Sequence, residues 1–193
     1  LEWPDRAEAM LPQDRLDVAL TLAPDKGPTF RHVRVTGTGT FAARAERMAR
    51  MRGFLEANGF AGAMRRRIQG DASTRSYERL TRDGVNFILM NSPRRPDGPP
   101  VRDGKPYSAI AHLAESVTPC IAMARGLTER GFSAPKIYAA DREAGLIVLE
   151  DLGSELVVAG EPPAPIEERY AAAVDVLAAL HGMDLPDLLP VEA

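Results

Sequence analysis

The chain has 193 residues, 45% of them hydrophobic and 26% charged, with a formal net charge of −3. That suits one full domain or parts of two, and excludes collagen, coiled-coil and wholly disordered classes. The slight acidity argues against nonspecific binding to nucleic acid or membrane surfaces, both of which want a basic excess.

Leu16, Val18, Leu20 and Leu22 alternate with Asp17, Ala19 and Thr21, the period-2 pattern of a half-buried strand. Asp25-Lys26-Gly27-Pro28 reads as a turn, and Phe30–Thr36 as a second strand. A helix follows, with Phe41, Ala45, Met48, Met51 and Leu55 on one face and Asn58-Gly59 as its C-terminal cap. Met64–Gln69, Arg75–Thr81 and Val85–Met90 read as three strands, the last two joined by an Arg82-Asp83-Gly84 hairpin turn. Between Ser92 and Pro106 lie five prolines and two glycines, which predict an exposed loop. A helix is expected from Thr118-Pro119, with Thr as N-cap, to Gly131. Lys136–Ala140 and Gly145–Glu150 form another strand pair, and a last helix carries Ile166, Tyr170, Ala173, Leu177 and Leu180 on one face. No apolar run approaches the roughly 20 residues that span a bilayer, and the first residues are not a signal peptide. Cys120, the single cysteine, excludes an internal disulfide and fits a reducing, cytoplasmic compartment. The sequence lacks an initiator Met and ends abruptly, and is expected to be a fragment.

Gly70-Asp71-Ala72-Ser73-Thr74-Arg75-Ser76-Tyr77 sits between the first two strands of the second set. Phosphates need backbone N–H groups and small side chains that permit close approach. Gly70, Ala72 and Ser73 supply these, Ser73 or Thr74 adds hydroxyl donors, and Arg75 offers a guanidinium fork. The competing reading of the same residues is a polar hairpin turn.

Gly-Asp-Ala-Ser-x-Arg-x-Tyr, then Ile88-Leu89-Met90-Asn91-Ser92-Pro93 and Leu149-Glu150-Asp151-Leu152-Gly153, resemble the aminoglycoside-phosphotransferase-like superfamily. Within it they most resemble the bacterial cell-wall-recycling kinases that phosphorylate N-acetylmuramate and N-acetylglucosamine at the anomeric hydroxyl. The resemblance covers about residues 44–193. It implies an α+β protein-kinase-like N-lobe, an antiparallel sheet plus helix, over 44–153. Residues 154–193 would be the connector and first helix of a truncated helical lobe. It also implies ATP with Mg²⁺ and a sugar or amino-sugar acceptor. Gly70, Asp71, Ala72, Ser73, Thr74, Arg75 and Tyr77 would hold the phosphates. The backbone of Glu150, Asp151 and Leu152 would meet adenine as the hinge.

Two departures matter. The third strand, Val85–Met90, carries no Lys to grip the α- and β-phosphates. The sugar-kinase group tends to carry Met near this point, and Arg75 is the substitute cation, with Arg79 a solvated strand residue. Glu115 is either the helix carboxylate that normally pairs with that Lys or a surface charge. His181-Gly182-Met183-Asp184 has the wrong spacing for the superfamily's His-x-Asp, and the residue five after Asp184 is Leu189 rather than Asn. His181 is therefore read as a capping or packing residue, and the catalytic base is expected beyond Ala193.

Glu2-Trp3-Pro4, Leu11-Pro12 and the opening strand pair resemble the C-terminal tail of TsaE, the P-loop ATPase of tRNA threonylcarbamoyladenosine biosynthesis. That resemblance covers residues 1–40. It implies that Glu2 lies near a nucleotide's metal ion, with Trp3 beside the nucleotide, and that partners are tRNA-modification proteins. A simple N-terminal strand end is the alternative, and no Gly-x-x-x-x-Gly-Lys-Ser/Thr loop occurs. Arg65, Arg66 and Arg67 alternate across a strand and read as a solvated sheet surface rather than an RNA site. Cys120 reads as a packing residue, and His32 and His112 lack metal-ligand spacing. Two further functions stay open: the ATPase as the main role with the kinase part a passenger, and a non-catalytic interaction module.

Overall fold

The computed structural model describes residues 6, 9–69, 75–94, 98–111, 114 and 116–186. The chain divides into two compact units, Leu1–Ala61 and Gly62–Ala193.

In the first unit, β1 (Arg15–Leu22) and β2 (Arg31–Thr38) pair antiparallel, with Val18 opposite Val35 and Leu20 opposite Val33. The alternation places Leu16, Val18, Leu20 and Leu22 on one face, as expected, but that face is exposed among the described residues. Helix α1 (Ala42–Ala57) buries Met51, Phe54 and Leu55. Met48, expected on the covered face, is exposed, and Phe54 takes its place; the buried stripe is centred about one residue further along the helix. The predicted C-cap is present in detail. Gly59 takes φ +79°, Phe60 N–H donates to Leu55 C=O at 2.8 Å, and Asn58 Nδ2 donates to Phe54 C=O. This is a Schellman closure, and its accompanying apolar residues, Leu55 and Phe60, are both buried.

The second unit is built on a five-stranded antiparallel sheet. Its strands are β3 (Met64–Ile68), β4 (Ser76–Arg82) and β5 (Val85–Asn91). After β5 come β6 (Pro100–Arg102), β7 (Lys105–Pro106), α2 (Tyr107–Ile110) and α3 (Thr118–Glu129). Then come β8 (Ile137–Asp141) and β9 (Leu146–Glu150), which rejoin the sheet to give the order β3-β4-β5-β9-β8. A short pair, β10 (Val158–Ala159) and β11 (Ala164–Pro165), precedes α4 (Glu167–His181).

The expected strands are all present, and β4–β5 turns through Asp83-Gly84 with positive φ at both residues. A second Asp-Gly pair, Asp103-Gly104, does the same for β6–β7, inside the stretch expected to be a plain loop. Both turns need left-handed backbone at two successive residues, which Asp and Gly tolerate better than most residues. Thr118 is not the N-cap of α3. It is the first helical residue, Val117 precedes it fully buried, and Ser116 Oγ accepts the Thr118 N–H at 3.4 Å. The N-cap is the buried Val117, one residue earlier than expected and without a side-chain cap hydrogen bond.

Both faces of the sheet carry buried residues. Leu80, Leu89, Leu146 and Val148 lie on one face, each fully buried. On the other, Met90 and Ile147 join Val117 and Ile121 of α3 in one cluster, with Tyr77, Cys120, Ile137 and Leu149 packed against it. At roughly 1.5–3 kcal/mol for each fully buried apolar side chain, this shared core dominates the unit's stability. The cluster packs α3 on the sheet face that carries Met90 and Ile147.

Candidate functional site

The segment between β3 and β4 leaves the sheet at Ile68 and returns directly opposite, at Tyr77. Gly70, Asp71, Ala72, Ser73 and Thr74 lie outside the described residues, so only the flanks of the candidate phosphate loop can be described. On the returning flank Asn91 Nδ2 donates to Ser76 Oγ at 3.1 Å, tying the start of β4 to the end of β5. Arg75 is half-buried, and its guanidinium makes a long contact, 3.5 Å, with the Ala114 carbonyl oxygen. Tyr77 stands opposite Met90 and packs on the α3 cluster. It is therefore part of the sheet's covered face rather than of the loop tip.

Met90 belongs to the stretch Val85–Met90 in which a phosphate-gripping lysine is missing. It is 2% exposed beneath α3. A cation cannot be desolvated there without a partner, so the lysine's absence is built into the packing. Glu115 and His112 lie outside the described residues, as do Glu2 and Trp3.

The expected hinge is held from two sides. Glu150 N–H donates to the Lys136 carbonyl at 2.8 Å, and Lys136 N–H donates back to Glu150 Oε2 at 3.1 Å. Asp151 turns its carboxylate inward. Oδ2 accepts from Arg79 Nε at 2.6 Å and Oδ1 from Gly153 N–H at 3.0 Å, and the side chain is only 6% exposed. Leu152, between these anchors, is 64% exposed. Burial pushes the Asp151 carboxyl up, but the Arg79 guanidinium and the Gly153 N–H outweigh it and leave it below the usual carboxylate range. The contribution of the pair to stability is thus complete at neutral pH. It is lost only as pH falls through that depressed value.

Arg79 was expected to be solvated, and the structure corrects this. The register sets Arg79 opposite Ile88, and Ile88 opposite Leu149. Arg79 therefore shares a face with Leu149 and reaches past β5 to Asp151, 72 residues later in the chain. The signal was the shared strand parity, which becomes readable only once the order β4-β5-β9 is known.

The remaining candidates are placed as follows. Arg65 pairs with Glu78 on the neighbouring strand at 2.7 Å. Cys120 packs against the α3 cluster. His181 is the exposed last residue of α4, ahead of Gly182. Among the described residues no three His, Cys, Asp or Glu side chains cluster as a metal site. A cleft of about 480 Å³ lies elsewhere, lined by Ala124, Arg125 and Thr128 of α3 and by Pro135, Lys136 and Ile137.

The sheet order, the single packed helix and the β3–β4 loop are the layout expected of a kinase-like N-lobe, and sequence comparison decides the matter. The model of the phosphotransferase enzyme family (APH) matches residues 65–193. The chain belongs to that family. It is 43% identical over 158 residues to the N-acetylmuramate/N-acetylglucosamine kinase of Caulobacter vibrioides, an alignment covering 75% of this chain and 43% of that protein. The Pseudomonas aeruginosa protein of the same description is 29% identical over 120 residues, covering 62% of this chain and 30% of its own length. The chain thus spans less than half the length of the curated APH relatives it matches. The antiparallel sheet and its helices make the second unit an α+β structure consistent with the kinase-like N-lobe of that family, and residues 1–64 precede the family match. Among the described residues no helix is long and apolar enough to cross a membrane.

Proposed function

We propose that residues 62–193 are the nucleotide-binding half of an ATP-dependent kinase acting on the anomeric hydroxyl of an amino sugar. One observation carries the reading. The strand residues that flank the candidate phosphate loop and those that lead to the candidate hinge are at opposite ends of one sheet. The row Tyr77–Met90–Ile147 marks the loop end and the row Leu80–Phe87–Glu150 the hinge end. Three residues of strand separate the rows, about 10 Å at ~3.4 Å per residue, which suits an adenine at one end and its phosphates at the other. Family membership implies ATP as donor, usually with Mg²⁺. The relatives, N-acetylmuramate/N-acetylglucosamine kinases, supply the sugar class.

In this reading the backbone around Leu152 meets the base. Gly70–Thr74 cradle the phosphates with N–H and hydroxyl groups, and Arg75 supplies the positive charge that Met90 does not. Transfer of the γ-phosphoryl group to a hydroxyl is mostly positioning and charge neutralisation. The group that orients the acceptor, and the ligands of the metal ion, would lie outside these residues. No His-x-Asp with a following Asn occurs here. The test is ³¹P NMR of Mg-ATP with N-acetylmuramate or N-acetylglucosamine. We expect no sugar phosphate from the 193-residue chain, and a sugar 1-phosphate from the complete open reading frame that encodes it. Sugar phosphorylation by the 193 residues alone contradicts the reading. No product from the complete frame favours a non-catalytic interaction module.

A second reading concerns residues 1–40, as the tail of a TsaE-like ATPase with Glu2 near its metal ion and tRNA-modification proteins as partners. It is favoured by the separate compaction of Leu1–Ala61 around its own strand pair, outside the family match. A Walker loop encoded immediately upstream would support it.

A further inference from the structure

We propose that Arg79 and Asp151 form a positioning pair that sets the hinge turn, so that the exposed backbone at Leu152 is presented to the adenine base. The inference rests on the nucleotide reading above; Arg79 lies outside the motifs quoted for the family, and Asp151 gains a side-chain role beside the backbone role read for it. Three observations carry it. Asp151 immediately follows β9, yet its carboxylate points into the protein, where it is nearly enclosed. It accepts at once from Arg79, two strands away across β5, and from Gly153 N–H, two residues on. Glu150 on the other side is fixed through its backbone and side chain to Lys136. Leu152 is the residue left between two anchored neighbours, and it is exposed.

A buried carboxylate that accepts a charged donor is held more rigidly than one facing water, because leaving it unpaired carries its full desolvation cost. The same carboxylate holds the Gly153 N–H, so the direction of the chain at 152 follows from the position of Arg79. Arg79 shares the face of Tyr77, Ile88 and Leu149 and stands at the hinge end of it. It therefore acts on the base end of a nucleotide and not on its phosphates. That separation is what an experiment can read.

The test compares the unmodified chain with Arg79→Ala and, in case that variant fails to fold, with Asp151→Asn, which keeps an acceptor for Gly153. Titrations use ATP, adenosine and inorganic tripolyphosphate, with amide hydrogen exchange measured in parallel without ligand. Both variants should weaken ATP and adenosine by the same factor, on the order of tenfold. Tripolyphosphate binding should be unchanged. The Leu152 and Gly153 amides should exchange faster, while amides of β5 keep their protection. A loss shared equally by all three ligands would point to general destabilisation and overturn the proposal. So would unchanged adenosine affinity in a folded variant. If the unmodified chain binds none of the three ligands, the nucleotide reading itself fails. Exchange at Leu152 and Gly153 then decides separately whether the pair sets the turn.

Discussion

Replacing Met90 with lysine strongly destabilises the second unit instead of restoring a phosphate-gripping cation. The side chain at 90 is enclosed by Val117, Ile121 and Ile147, with Tyr77, Cys120, Ile137 and Leu149 around them. None of these is an acid. An ammonium placed there keeps its charge without a partner or gives up its proton, and leaving a charge uncompensated in a core costs about 3–5 kcal/mol. Against a total stability of roughly 5–15 kcal/mol, that is enough to populate the unfolded chain. The sign of the pH dependence identifies the cause. Burial lowers the lysine's folded-state pKa below its unfolded value, so the unfolded state binds more protons and stability rises with pH. Urea unfolding of Met90→Lys should show a strongly lowered midpoint that recovers toward alkaline pH. Met90→Leu, which conserves volume, should lose under about 1.5 kcal/mol. A Met90→Lys chain as stable as the original, with tighter ATP binding, would mean that the position opens to the nucleotide.

The second large effect is expected at Gly145, in the turn between β8 and β9. Its φ is +65°, and a Cβ built there would lie 2.2 Å from the Ser92 carbonyl oxygen and 2.9 Å from the Ser92 carbonyl carbon. Ser92 cannot retreat freely. Its own N–H donates to Gly145 C=O at 2.9 Å, and the residue is buried. The contact joins the end of β5, the central strand, to the start of its antiparallel neighbour β9. Gly145→Ala combines the left-handed backbone penalty, about 1–2 kcal/mol, with displacement of this bridge. A total of about 3 kcal/mol or more is expected, at the upper end of ordinary single substitutions. Gly131→Ala is the control: φ is +83° there, but no atom lies within 4 Å of the added carbon. It should lose only the backbone part, about 1–2 kcal/mol. Thermal melts of the two variants separate the terms. Equal shifts would show that the Ser92 contact is relieved at no cost.

Features encoded within a few residues were legible in the sequence. The alternation from Leu16 to Leu22, the Asn58-Gly59 cap and the Asp83-Gly84 turn each state their geometry locally, and each is present. The Asp103-Gly104 hairpin carried the same signal, obscured by the prolines around it. What was not legible depends on contacts remote in sequence. The N-cap of α3 is the buried Val117 rather than Thr118, and the covered face of α1 is centred on Phe54 rather than Met48. The largest difference at the candidate site is Arg79. An arginine in a strand reads as solvated until the strand order brings Asp151 to it, 72 residues later. The phosphate-loop motif was the clearest chemical signal in the sequence. Its tip, Gly70–Thr74, is outside the described residues, so its role rests on its flanks, on the buried Met90 and on family membership.

The most direct test of that role is titration of ATP, with and without Mg²⁺, into the purified 193-residue chain. It is repeated with Arg75→Ala and with Ser73 and Thr74 both changed to Ala. Losing a charge-assisted or hydroxyl contact to a phosphate should weaken binding roughly tenfold or more. The account predicts ATP binding in the unmodified chain that weakens in both variants. A folded chain that binds no ATP, or binds it equally well in all three forms, would contradict it.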